Sequence, residues 1–173
     1  MTDPARILLV DDDEGSRLAM TQTLAPLGHR IVAAASGEQA LKASLRQDFA
    51  LVLLDVVMPG GMDGLQTAAH LKRLDQTKDI PILFFTGMPR DVDCAFTGFA
   101  TGGADYLAKP VDPWELRAKV GRLVDQQTEH RQMRAELARL RHSDAELRAE
   151  IRALTDRLAQ LEDHCRHTDP PAA

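Results

Sequence analysis

Five short apolar runs set the fold: RILLV (6–10), HRIVAA (29–34), FALVLL (49–54), IPILFF (80–85) and ADYLA (104–108). Each is the length of a strand, and the run that leads into Asp55 reads as buried on both faces. Between them, residues 14–25, 37–46, 64–74 and 91–101 have helical character. A fifth helix is expected to start near Pro113, because Asp112-Pro113 supplies a cap and a first-turn proline. Strands separated by helices require crossover connections, and these are right-handed in a parallel sheet covered on both sides. Residues 1–125 are therefore predicted to form an α/β domain with a five-stranded, doubly wound parallel sheet.

The composition changes near residue 125. All 11 glycines lie before it, and after it proline returns only at Pro170 and Pro171. From about 129 to 165, Met133, Leu137, Leu140, Leu147, Ile151, Leu154, Leu158, Leu161 and Cys165 recur at alternating spacings of three and four, interrupted at Asp144. A narrow seam of this kind predicts a coiled-coil helix over 126–166 that continues from the fifth helix. Residues 167–173 read as a disordered tail. With Leu137 at an a position, Asp144, Ile151, Leu158 and Cys165 are also a, and the leucines at 140, 147, 154 and 161 are d. Leucine at most d positions favours a dimer. A parallel arrangement sets Glu136 against Arg141 of the partner helix, and Arg157 against Glu162.

Several function classes are disfavoured. Net charge is −5, so no global basic field attracts nucleic acid or an anionic membrane. Aromatic residues make up 4%, too few for base-stacking platforms. The coil is no DNA reader by charge, since residues 126–173 hold eight Lys/Arg against nine Asp/Glu. No run approaches the ~20 apolar residues of a membrane span, and the start MTDPARILLVDDDE is not patterned as a signal peptide. Cys94 and Cys165 form no spacing motif. These features predict a cytoplasmic protein with reduced thiols. The tail cluster HCRH (164–167) lacks a second set of metal ligands.

Chemistry is expected at the carboxyl ends of the strands, where doubly wound sheets bind ligands. The first strand delivers Asp11, Asp12 and Asp13; the third, Asp55; the fourth, Thr86; the fifth, Lys109. A carboxylate ending a buried strand is costly unless it is paired or coordinates a metal. Clustered carboxylates repel unless a cation sits among them. Oxygen ligands with few protein donors suit Mg²⁺. An aspartate held there beside a hydroxyl and an ammonium is equipped to attack phosphorus and to stabilise the phosphoryl group it receives.

The motifs ILLVDDDE, LLDVVMPGGMDG, ILFFTG and GGADYLAKPVDPWEL resemble the receiver domain of two-component response regulators, the CheY-like family, over about residues 5–125. The resemblance implies that Asp55 is the phosphoacceptor. It implies that Asp11 and Asp12, with Asp55 and the main-chain carbonyl of Val57, hold Mg²⁺. Thr86 and Lys109 match the phosphoryl-binding hydroxyl and ammonium, and Tyr106 the aromatic switch residue. Pro110 matches the proline of a cis Lys-Pro bond. Val57 and Met88 match the positions that flank the path of the hydrolytic water. The implied function is that of a stand-alone response regulator, not an enzyme with turnover. It takes a phosphoryl group from a sensor histidine kinase or phosphotransfer protein and signals to an unknown protein target through the face of the fourth helix, fifth strand and fifth helix.

The loop MPGGMDG carries one residue more than the usual pattern of that family, a lengthening expected to affect partner docking. Asp13 reads as a helix-start residue, and Asp63-Gly64 as a helix cap. Two rival readings differ in class. A Mg²⁺-dependent aspartyl-phosphate phosphohydrolase is disfavoured, because such enzymes place a second aspartate where Val57 stands. A scaffold with an inert receiver would leave the work to the coil.

Overall fold

A computed structural model describes residues 4–87 and 105–167, with side chains to Asp163. The expected helix over 91–101, Met88 and Cys94 lie outside the described residues.

The elements are β1 (Arg6–Val10), α1 (Glu14–Leu24), a 3₁₀ turn (Ala25–Leu27), β2 (Arg30–Ala34), α2 (Gly37–Ser44), β3 (Leu51–Asp55), α3 (Gly64–Arg73), β4 (Ile82–Thr86), β5 (Asp105–Ala108) and the long helix α4 (Pro113–His167). The strands form one sheet in the order β2-β1-β3-β4-β5, with every neighbouring pair parallel. This is the doubly wound architecture expected from the apolar runs. Because the sheet is covered on both faces, each strand alternates between two cores. Leu8, Val10, Val52, Leu54 and Phe84 pack with Ala40, Ala68 and Leu71 on one side. Ile7, Leu9, Leu51, Leu53 and Phe85 pack with Met20, Leu24, Leu116 and Val120 on the other.

Element ends differ from the sequence reading by one or two residues, for local reasons. α1 yields to the 3₁₀ turn at Ala25, where Pro26 supplies no N–H, and Gly28 at φ 70° closes the turn. β4 begins after Pro81, and β3 extends through Asp55 itself. All four helices among the described residues start on side-chain caps, α4 on Asp112, which accepts from the Trp114 and Glu115 N–H groups at 2.8 and 2.9 Å. Asp13 accepts from the Ser16 N–H, Ser36 from the Gln39 N–H, and Asp63 forms a reciprocal capping box with Gln66.

The chain divides into two compact units, Met1–Glu129 and His130–Ala173. In the second, Met133, Leu137, Leu140, Leu147, Ile151, Leu154, Leu158 and Leu161 are 47–63% exposed. Within this unit the heptad positions thus form an exposed apolar stripe. No helix among the described residues is long and apolar enough to cross a membrane.

Candidate functional site

The parallel register sets the site. β1 and β3 are paired up to Val10↔Leu54, and β3 and β4 up to Asp55↔Phe85, so Asp11, Asp55 and Thr86 emerge at one edge of the sheet. β4 and β5 are paired up to Thr86↔Ala108, which brings Lys109 beside them. The Lys109 N–H donates to the Thr86 carbonyl at 2.9 Å, and the Lys109–Pro110 peptide bond is cis.

The Lys109 ammonium donates to Asp55 Oδ2 at 2.6 Å and lies 3.7 Å from Asp11 Oδ2. The Val57 N–H donates to Asp55 Oδ1 at 3.2 Å. Asp55 is only 3% exposed. That burial raises its pKa above the ordinary carboxylate value, and the Lys109 hydrogen bond and charge oppose the shift. Carboxylate oxygens of Asp11, Asp12 and Asp55 lie within 4.8 Å of one another; Asp11 and Asp55 are buried, Asp12 exposed. Three convergent carboxylates with no nitrogen or sulfur ligand among them form a hard donor set, which fits Mg²⁺. One side open to solvent suits an ion that keeps several waters.

The remaining sequence-predicted residues fall around this cluster. Thr86 is fully buried at the end of β4, and the Val57 side chain is 59% exposed. Tyr106 is half-buried on β5 and packs against the core that holds Phe84. The Lys119 ammonium donates to the Tyr106 carbonyl at 3.1 Å and sits 5.9 Å from its ring centroid. Lys119 and Arg122 also pair with Asp105, at 2.8 and 3.0 Å.

Three contacts were not anticipated from the sequence. Ser16 Oγ donates to Asp11 Oδ2 at 2.6 Å, the Arg17 guanidinium donates to the Asp11 carbonyl at 2.6 Å, and Glu38 accepts from the Met62 N–H at 3.2 Å. The first two carried a weak signal, a serine and an arginine in the turn directly after the acidic cluster. The third joins residues 24 apart and carried none.

The fold and the edge constellation define the receiver class, and residues 7–121 match the response regulator receiver domain. The chain belongs to that family. It is 38% identical over 114 residues to the transcriptional regulatory protein AfsQ1 of Streptomyces coelicolor, across 66% of this chain and 48% of that protein. It is likewise 38% identical over 116 residues to the transcriptional regulatory protein HprR of Escherichia coli, across 66% and 49%. The chain thus spans about half the length of the curated relatives it matches. Among solved structures it is similar to the Vibrio cholerae chemotaxis protein CheY4, with a TM-score of 0.64, 27% identity, and coverage of 70% of this chain and 99% of that one. A CheY-like receiver domain protein from Methanospirillum hungatei gives a TM-score of 0.65, 27% identity, and coverage of 74% and 99%.

Proposed function

We propose that this chain is a phosphoacceptor regulator that takes a phosphoryl group from a phosphohistidine donor onto Asp55. The donor is a sensor histidine kinase or a phosphotransfer protein. In the transfer, an Asp55 carboxylate oxygen forms the new P–O bond. The P–N bond to the donor imidazole breaks, and its electron pair returns to nitrogen. One observation carries the reading: a buried carboxylate held at 2.6 Å by an ammonium 54 residues away, at a strand edge shared with two more carboxylates. Lys109 stays as countercharge to the incoming phosphoryl oxygens, and Thr86, on the neighbouring strand, supplies a hydroxyl. Asp11, Asp12, Asp55 and the Val57 carbonyl would hold Mg²⁺, which neutralises charge on the transferring group. Positioning and charge account for most of this chemistry.

Residues 1–125 act as the receiver and 126–166 as the output coil. Occupancy of Asp55 draws Thr86 toward the phosphoryl group, and Tyr106 turns inward, shifting the population of the face that includes β5 and the start of α4. The exposed stripe on α4 pairs with a second copy as a parallel coiled coil. The balanced charge of the coil favours a protein target over nucleic acid.

The test is phosphoryl uptake by the purified full chain from a small acyl phosphate with Mg²⁺, followed by phosphate-affinity electrophoresis. Wild type gains one phosphoryl group and Asp55→Asn gains none, because the amide keeps the shape but is not a nucleophile. Equal uptake by Asp55→Asn, or none by wild type, refutes the assignment. Steady release of phosphate over many turnovers would favour the phosphohydrolase reading instead.

A further inference from the structure

We propose that Ser16 is a positioning residue for Mg²⁺: its hydroxyl fixes the Asp11 carboxylate in the orientation in which it receives the ion or an ion-bound water. This rests on the phosphoacceptor reading and adds to it a residue on α1. Asp11 is 1% exposed, and both of its oxygens already hold protein donors. Oδ1 accepts from the Asp13 N–H at 2.8 Å, and Oδ2 accepts from Ser16 Oγ at 2.6 Å. Each carboxylate oxygen has about two lone pairs, so one on each remains for the ion or its waters. With two donors bound, the carboxylate plane cannot rotate. The Arg17 guanidinium adds a hold on the Asp11 carbonyl, so the main chain is fixed as well as the side chain.

The Ser16 hydroxyl is not needed to start α1. Its own N–H is the group that Asp13 caps, at 2.6 Å. At the equivalent third helical position, α2 and α3 carry glutamines whose side-chain oxygens accept main-chain N–H groups of Ala35 and Asp63, closing those helix starts. α1 places a donor there, and that donor points to a carboxylate of the metal cluster. Residues that orient metal ligands affect affinity by about 10–100-fold when removed.

The test is isothermal titration of the full chain with Mg²⁺, using Ser16→Ala, Ser16→Thr and Ser16→Val. Threonine and valine have the same shape and differ in the hydroxyl, so their comparison separates orientation from packing. The expected result is a Kd raised about tenfold or more in Ser16→Ala and Ser16→Val, with Ser16→Thr close to wild type. Acyl-phosphate uptake by Ser16→Val should return to the wild-type level at saturating Mg²⁺, which a merely structural defect would not allow. Should Ser16→Ala fold poorly, the Thr/Val pair alone decides. Equal Mg²⁺ affinity in Ser16→Thr and Ser16→Val, with wild type binding normally, overturns the role of Ser16 and leaves the phosphoacceptor reading in place. A wild-type chain that binds no Mg²⁺ overturns both.

Discussion

The exposed stripe on α4 gives a prediction with two opposite signs. In the proposed parallel dimer, Leu147 sits at d and Asp144 at a, in adjacent layers. The seam residues of the described helix are 47–63% exposed, so about half of each side chain remains to be buried. Full burial of a leucine contributes roughly 1.5–3 kcal/mol, so docking a second helix contributes about 1 kcal/mol per seam leucine. A substitution acts twice in a symmetric dimer. Leu147→Asp removes two such contributions and sets two carboxylates face to face, a loss of roughly 3 kcal/mol, or more than a hundredfold in the dimer Kd. Asp144→Leu does the reverse. It removes an existing pair of carboxylates and adds two apolar side chains. Asp144 also pairs with Arg148 of its own helix at 2.9 Å. That pair is well exposed, with side chains 59% and 71% accessible, so losing it costs only about 0.3–0.5 kcal/mol. Asp144→Leu should therefore tighten the dimer by about a hundredfold. Sedimentation velocity over a dilution series reads both constants. If Leu147→Asp weakens the dimer while Asp144→Leu leaves it unchanged, Asp144 is not on the seam and the heptad assignment is wrong. A wild-type chain that stays monomeric at the highest concentration refutes the coil altogether. Orientation is read separately: a parallel dimer should give a Cys165-dependent covalent dimer on mild oxidation. An antiparallel one separates the two cysteines by much of the coil's ~50 Å and should not.

The other predictions concern the receiver. Burial raises the Asp55 pKa in the fold above its ordinary value, so its contribution to stability is full below that ordinary value and is lost as pH rises through the folded one. Asp55→Asn, which cannot ionise, should be more stable than wild type at pH 7, with the difference closing near pH 3 in chemical denaturation; a gap that widens on acidification would contradict the sign. A Cβ on Gly64 would overlap the Asp55 carbonyl oxygen and come within 2.8 Å of the Val56 Cα, both main-chain atoms. Gly64→Ala should cost roughly 1–3 kcal/mol in a urea melt and slow phosphoryl uptake, and an unchanged uptake rate would show that the strand end relaxes freely. Val57, exposed beside Asp55, offers no polar group to orient water. The Val57→Asn, Met88→Glu double variant should lose its phosphoryl group faster than wild type, and an unchanged decay would reject the water-access reasoning.

The sheet was legible because its central strands β1, β3 and β4 are buried on both faces, whereas the edge strands β2 and β5 are partly exposed, and an unbroken apolar run has few other destinations in a chain of this composition. The convergence of Asp11, Asp55, Thr86 and Lys109 followed from the parallel fold, which sends every strand's carboxyl end to the same edge. The seam of α4 was legible by period, yet period says nothing of what lies against it. In the second unit the stripe is exposed, and only the charges at 136, 141, 157 and 162 favour a second copy in parallel. The holders of Asp11 were not legible. Whether a serine in the first turn of a helix faces its own cap, solvent or a carboxylate depends on one side-chain torsion, which no spacing rule fixes.

The loop after Asp55, one residue longer than the usual pattern of the family, is tied at both ends by hydrogen bonds from main-chain N–H groups. Its near end is fixed by the Val57 N–H on Asp55 and its far end by the Gly64 N–H on the Val56 carbonyl at 3.1 Å. Asp63 then enters α3 through its capping box. The slack is taken up between them, where Gly60 adopts φ 90°, a conformation that side chains disfavour. Glu38 reaches across from α2 to accept the Met62 N–H; hydrogen bonds from its own main-chain N–H first, then the Ser36 side chain and then Met62 hold the Glu38 pKa below the ordinary value. With both ends tied, the added residue is expected to bear on the surface next to Asp55 rather than on Asp55 itself. Its effect should appear in which partner docks, and not in uptake from a small acyl phosphate. Deleting Gly60 should leave acyl-phosphate uptake near wild type while altering the rate of transfer from a protein donor. An equal slowing of both would place the loop in the chemistry itself.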